Sequence, residues 1–244
     1  MFRNMTISKR LYLGFGLMIL LMLLIVAIGV NRVNFIDNTL QEIVEVNSVK
    51  QRYAINFRGS VHDRAIAIRD VVLADSVNDD LYKKSIADIS KLEKFYAESA
   101  KLMDDIFSIK ENVDDEEIRI LKQIKEIENK TLPMVEYIIV LKNKGQNEEA
   151  SKLLTIQTAN AFTEWLKTIN EFIDYQEAKN QIATPKAREV ASSFSFMMIV
   201  VLIISLIIGT SIAFFISKNL SKSAFLIQYE IGRAHVWTPV TEYD

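Results

Sequence analysis

The chain has 244 residues, half of them hydrophobic, with three prolines, seven glycines and no cysteine. So few helix breakers favour long helices, and the lack of cysteine excludes disulfides and thiol chemistry while leaving the compartment open. A formal net charge of -2 argues against a nucleic-acid binder, whose surface is clearly basic.

Residues 1–10 form a short N-terminal segment carrying Arg3, Lys9 and Arg10. Residues 11–30 carry no charge and suffice for a hydrocarbon core of ~30 Å at 1.5 Å per residue. A secretory signal peptide has a similar basic start and apolar run. This run is longer than a usual signal core, however, and no small-x-small cleavage site closes it. It is expected to be an uncleaved transmembrane helix with a cytoplasmic N-terminus. Gly14 and Gly16 lie one residue apart, not three, and so form no close-packing motif.

From Asn31 to about Ala74 the pattern is helical, with only Gly59 as a breaker, a run of about 65 Å. Within it stands N-F-R-G-S-V-H-D-R-A-I-A-I-R-D, residues 56–70. At helical spacing Arg58, His62 and Arg69 fall within roughly 40° of one another. Val61, Ala65, Ile68 and Val72 form an apolar stripe beside them, and Arg64 points off its other side. A seam flanked by guanidinium groups suits capture of a small anion between helices. The competing reading is a solvated basic face on a long amphipathic helix. Tyr53 and Asn56, one turn earlier, could add hydrogen bonds.

The cluster D-S-V-N-D-D at residues 75–80 is a turn. A second helix follows to about Lys110, its packed face written as Ile86, Ile89, Leu92, Phe95, Tyr96, Ser99, Leu102, Met103 and Ile106. Residues 112–117 make the next break, where Asp114 and Glu117 resemble a capping box. The third helix runs from Asp115 to about Lys144 on a stripe of Ile118, Leu121, Ile124, Ile127 and Leu132, with a kink or brief interruption expected at Pro133. Gly145 is expected to end it and Asn147 to cap the next. The fourth helix carries Leu153, Leu154, Phe162, Trp165, Leu166, Ile169, Phe172 and Ile173. It bends near Pro185 and continues into a second uncharged run, residues 194–217. Trp165 falls in the apolar register and is expected in the core.

The expected fold is all-α: a membrane-anchored antiparallel four-helix bundle, residues 31–193, flanked by two transmembrane helices, residues 11–30 and 194–217. The segment between the anchors holds 23 basic and 28 acidic residues. It must lie on one side of the bilayer, and the basic residues at both outer ends place that side outside the cytoplasm. Arg32, Lys186 and Arg188 weaken that bias.

No enzyme constellation survives inspection. With only His62 and His235, a two-histidine metal helix is impossible, and no glycine-rich phosphate loop is present. The neighbouring acids Asp79/Asp80, Asp104/Asp105 and Asp114/Asp115 point about 100° apart on a helix, so they read as solvated faces or caps. No enzyme activity, cofactor or metal is expected.

The opening M-T-I-S-K-R-L-Y-L-G-F-G at residues 5–16, the arginine run at residues 56–74 and K-x-K-G-Q at residues 142–146 resemble the methyl-accepting chemotaxis protein family of bacterial chemoreceptors, over roughly residues 1–220. The resemblance implies a multi-pass protein of the bacterial inner membrane with a periplasmic four-helix-bundle sensor, acting in chemotaxis as a homodimer. It implies a small anionic ligand, a carboxylate or amino acid, or a periplasmic binding protein that carries one. By position Arg58, Arg64 and Arg69, with His62 beside them, correspond to the family's basic ligand-binding set. Their spacing departs from the aspartate-sensing type and leaves small carboxylates broadly. Gln157, Thr158 and Asn160 are the fourth-helix candidates. The chemotaxis kinase and its adaptor would engage C-terminal domains absent from this sequence, and signalling would be a piston-like slide of the fourth helix.

After Ile216, residues 218–229 resemble the start of a cytoplasmic linker domain of the HAMP type, without its usual proline. Residues 230–244, which include I-G-R-A-H-V-W-T-P-V-T, resemble translated adapter read-through and are expected to be foreign. A sensor histidine kinase or a cyclic-dinucleotide synthase carries the same kind of input module. A structural membrane-tethered bundle, which binds no small molecule, is the non-signalling alternative.

Overall fold

The computed structural model describes residues 6–236. It divides into a unit spanning Asp37–Ala187 and a second unit formed by residues up to Ile36 together with those from Arg188. Among the described residues all regular structure is helical: α1 (Ile7–Gln41), α2 (Ser48–Leu73), α3 (Asp80–Phe107), α4 (Asp115–Asn143), α5 (Asn147–Leu153) and α6 (Ala159–Val236). One π-helical segment, Glu42–Asn47, joins α1 to α2, and another, Leu154–Thr158, joins α5 to α6.

The helix ends follow from local chemistry. The Asp79 side chain accepts from the Leu81 N–H and starts α3. At α4 the Asp114 carboxylate accepts from the Glu117 N–H at 2.9 Å while Glu117 accepts from the Asp114 N–H at 3.0 Å, a complete capping box. Gly145, at φ 75°, closes α4. The Gln146 N–H reaches the Leu141 carbonyl and the Gly145 N–H that of Lys142, so two orphan carbonyls are satisfied by a left-handed residue. Gln146, not Asn147, holds the cap position of α5, and no side chain caps it. Neither proline stops its helix: α4 runs unbroken through Pro133 and α6 through Pro185. Pro133 is exposed, where a carbonyl deprived of its partner can turn to water.

Side-chain contacts give the topology of the Asp37–Ala187 unit. Ser60 donates to the Leu92 carbonyl and Asn56 to Ser99, so α2 and α3 run antiparallel. Lys125 pairs with Asp104, which sets α4 antiparallel to α3. Gln176 meets Glu117, Arg119 meets Glu171 and Lys130 meets Glu164, which sets α6 antiparallel to α4. Gln51 and Ser48 meet Ile173 and Asn180 and close the ring between α2 and α6. The result is an up-down-up-down four-helix bundle.

Its core holds the α2 stripe, with Val61 and Ile68 wholly buried, and from α6 Trp165, Ile169 and Phe172, also wholly buried. Phe57, Tyr96, Trp165 and Phe162 stack through the middle at centroid separations of 4.5 to 6.2 Å. Two stripes differ from expectation. On α3, Phe95 and Leu102 are exposed while Tyr82 and Ser85 are buried; on α4, Ile118 is exposed and Ile120 is buried. Apolar residues at mixed three and four spacing sweep more of the circumference than three neighbouring helices cover.

In the other unit α1 and the C-terminal part of α6 each carry a stretch long and apolar enough, by length and composition, to cross a membrane. A Cβ at Gly14 would come within 2.9 Å of Ile212 Cγ2, so these backbones approach closely there. Gly16 meets nothing within 4 Å, so the two glycines form no joint motif. Helix α6 continues through Val236, six residues into the segment expected to be foreign. The rest of that segment, residues 237–244, and residues 1–5 at the N-terminus lie outside the described residues.

Candidate functional site

Helix α2 separates the four candidate residues onto two faces. Arg58, His62 and Arg69 are exposed. His62 contacts the neighbouring Asp63 carboxylate at 3.1 Å, both side chains being more than half exposed. The same outward face carries Ile55, Ile66 and Leu73, which are 48%, 43% and 72% exposed. Three apolar residues thus share one arc with the basic groups along 19 residues of helix.

Arg64 lies on the opposite side and is only 2% exposed. Its guanidinium lies against the rings of Tyr96 on α3 and Trp165 on α6, 5.0 Å from each centroid, with the two rings side by side at 5.5 Å. Guanidinium stacks well on aromatic faces because it is planar and weakly hydrated. The rings supply no acceptor to its edge: Nε and Nη2 are buried without a hydrogen-bond partner. Burial pulls the Arg64 pKa below its usual value, against the opposing pull of Tyr96, Glu93 and Glu128. Burial likewise pushes the Glu128 carboxyl up, opposed by the Tyr96 hydroxyl and the Arg64 charge.

Arg64 lines a cavity of about 610 Å³ between α3 and α4. Tyr96, Ala97 and Ala100 wall it on α3, and Glu128, Leu132 and Glu136 on α4. Sequence reasoning places Arg64 off the apolar stripe but has no signal for Tyr96, Trp165 or Glu128 as its neighbours. These come from three other helices, and each reads alone as core or surface.

The remaining candidates have local roles. Asn56 donates to Ser99 Oγ at 3.1 Å and so ties α2 to α3. Thr158 is fully buried, its hydroxyl donating to the Leu153 carbonyl, whereas Gln157 and Asn160 are exposed. All but Asn160 of the fourth-helix set lie in the π-helical segment, a widened turn of the kind frequent at functional positions.

A second polar centre lies where α4 begins. The Lys50 ammonium donates to Glu117 at 2.5 Å and to the Asn112 carbonyl at 2.7 Å. Gln176 and Lys179 of α6 reach the same Glu117 oxygen at 2.6 and 3.1 Å. Burial lowers the Lys50 pKa, and Glu117 opposes that. Burial also works against the Lys179 charge, but Asp114 and Glu117 outweigh it and hold its pKa up. The arrangement locks α2, α4 and α6 together and presents no cleft. Among the described residues no group of three His, Asp or Glu side chains is placed to hold a metal ion.

A family model described as a four helix bundle sensory module for signal transduction matches residues 4–191. No curated protein and no solved structure matches the chain.

Proposed function

Since the chain belongs to the family of four-helix-bundle sensory modules for signal transduction, a family of non-catalytic sensors, we propose that it is the input half of a transmembrane chemoreceptor. In this reading the apolar stretches of α1 and α6 cross the inner membrane, and the bundle stands in the periplasm. A change of ligand state then reaches the cytoplasm, where a chemotaxis kinase and its adaptor respond. The observation that carries the reading is the continuity of α6. One unbroken helix holds Trp165, Ile169 and Phe172 of the bundle core and then the apolar run. A shift in how these residues pack is therefore passed along a stiff element, and a coupling of 1–3 kcal/mol suffices to bias a two-state receptor, on the order of 5–150-fold.

The outward face of α2 is the proposed seam of a homodimer, with Ile55, Ile66 and Leu73 closing against a second copy. Arg58, His62 and Arg69 would then line that seam and hold a small carboxylate or amino acid, delivered free or by a periplasmic binding protein. Arg64 points into the bundle and is not part of that seam. The test is the thermal stability of the whole chain in detergent micelles against a panel of small carboxylates and amino acids, since a ligand of the folded state raises it. The reading expects at least one stabilising compound whose effect disappears in Arg69→Ala. A panel without any effect would leave a structural bundle as the better account.

A further inference from the structure

Arg64 presents five N–H donors in a rigid plane, and the neighbouring rings of Tyr96 and Trp165, 5.0 Å away, offer it no hydrogen-bond acceptor. What remains is the edge, with Nε and Nη2 unpartnered beneath the surface. A buried donor without an acceptor is costly, more so when charged, so the edge calls for an oxygen acceptor from outside the protein. The cavity it lines, about 610 Å³, is within the range of small-molecule sites.

The mouth of that cavity has the opposite character. Glu93, Asp104, Asp105, Glu128 and Glu136 line it against a single further basic residue, Lys101. Asp104 is already committed to Lys125 at 2.6 Å, and Glu128 already faces the Tyr96 hydroxyl and the Arg64 charge, which leaves Glu93, Asp105 and Glu136 exposed there without an ion pair among the described residues. A simple anion meets repulsion from the rim before it reaches Arg64, and a simple cation leaves the Arg64 edge unsatisfied and adds a like charge beside it. Only a molecule carrying both signs satisfies the two ends.

The geometry points to a binding site between α3 and α4, apart from the α2 face, for a small zwitterion whose carboxylate pairs with the Arg64 edge and whose cationic nitrogen faces Glu93 and Glu136. The Arg64 fork takes the carboxylate in parallel hydrogen bonds. Because Trp165 stacks on the same guanidinium, occupancy is reported by its fluorescence. The site also ties α3 and α4 to α6 through Arg64 and Trp165, and so gives a bound molecule a hold on the helix that continues into the apolar run.

The test is titration of the full chain in detergent micelles with γ-aminobutyrate and glycine betaine, followed by calorimetry and tryptophan fluorescence. The titrations are run in the Arg58→Ala/Arg69→Ala background, which removes the proposed α2 seam, with succinate and putrescine as the purely anionic and purely cationic controls. At least one zwitterion should bind saturably and at least tenfold more tightly than either control. Arg64→Lys should weaken it tenfold or more. The double variant Glu93→Gln/Glu136→Gln, at exposed positions that leave the fold intact, should weaken it severalfold. Saturable binding that persists in the Arg58→Ala/Arg69→Ala background separates this site from the proposed α2 seam. Failure of both zwitterions to saturate, equal affinity for succinate or putrescine, or indifference to the Glu93/Glu136 double variant would overturn the assignment without touching the α2 reading.

Discussion

Lys50 of α2 and Glu117 of α4 form an ion pair at 2.5 Å with both side chains fully shielded from water. The two residues sit 67 positions apart, on diagonal helices of the bundle. Glu117 does three things at once: its backbone N–H and its carboxylate complete the capping box, and the carboxylate also receives Lys50, Gln176 and Lys179. Breaking a buried pair by removing one partner costs more than the pair itself contributes, because it strands a charge.

Glu117→Leu is therefore expected to destabilise the chain by about 3–5 kcal/mol, since Lys50 is left with only the Asn112 carbonyl. Lys50→Met should cost less, because Lys179 and Gln176 still serve the carboxylate. Urea unfolding followed by far-UV circular dichroism ranks the two. Lys50→Met proving the worse variant would reverse the assignment of Glu117 as the hub.

A pH effect of definite sign attaches to Glu128. Burial raises its pKa above the ordinary 4.5, so its contribution to stability is fully present below that pH and lost as pH rises through the raised value. Glu128→Gln should match the wild type in acid and exceed it in thermal stability near neutral pH. Asp114 acts the other way. Burial tends to raise it, but the Glu117 N–H and Lys179 outweigh that and leave its pKa below 3.8. Its stabilisation is present above the ordinary value and lost as pH falls through the lowered one. Equal melting temperatures of Glu128→Gln and wild type across the neutral range would count against the first of these.

Lys142, nearly buried, donates to the Val72 and Ala74 carbonyls at 2.9 and 2.5 Å and so caps the end of α2 with a positive charge. Lys142→Met should cost about 1–3 kcal/mol and speed amide hydrogen exchange through residues 74–79. Unchanged exchange in that turn would show the cap to be dispensable.

The absence of cysteine allows a direct test of the proposed topology. Ser76→Cys and Gln146→Cys, both at exposed turns, should each react with a membrane-impermeant maleimide on cells whose inner membrane is intact. Labelling only after lysis would place the bundle in the cytoplasm and end the chemoreceptor reading.

In the apolar unit, Gly14→Val should cost about 1–3 kcal/mol by overpacking against Ile212, whereas Gly16→Ala meets open space. Cysteine cross-linking between α1 and α6 would report the difference. Equal effects of the two substitutions would remove the close approach at Gly14 from the account.

Much of this molecule is local in origin and legible in the chain. Asp79, the Asp114/Glu117 box and Gly145 mark helix ends because a cap is a bond between residues two or three apart. The α2 stripe of Val61, Ala65 and Ile68 follows from the helical period alone. The two uncharged runs and the even number of helices between them lead to an antiparallel bundle, an all-α fold matched by the family model over residues 4–191. Even the K-x-K-G-Q motif turns out to be structural, its lysine capping α2 and its glycine closing α4.

What the chain does not encode locally is which helix stands opposite which face. Periodicity fixes the angle of Arg64 relative to Val61 and Ile68, but its burial depends on Tyr96 and Trp165, 32 and 101 residues away, arriving beside it. The same holds for Phe95 and Leu102, apolar and in register yet left in solvent because no helix covers that arc of α3. A helix determines its own faces from its own residues. Only the packing of the other three decides which of them become core, seam or site.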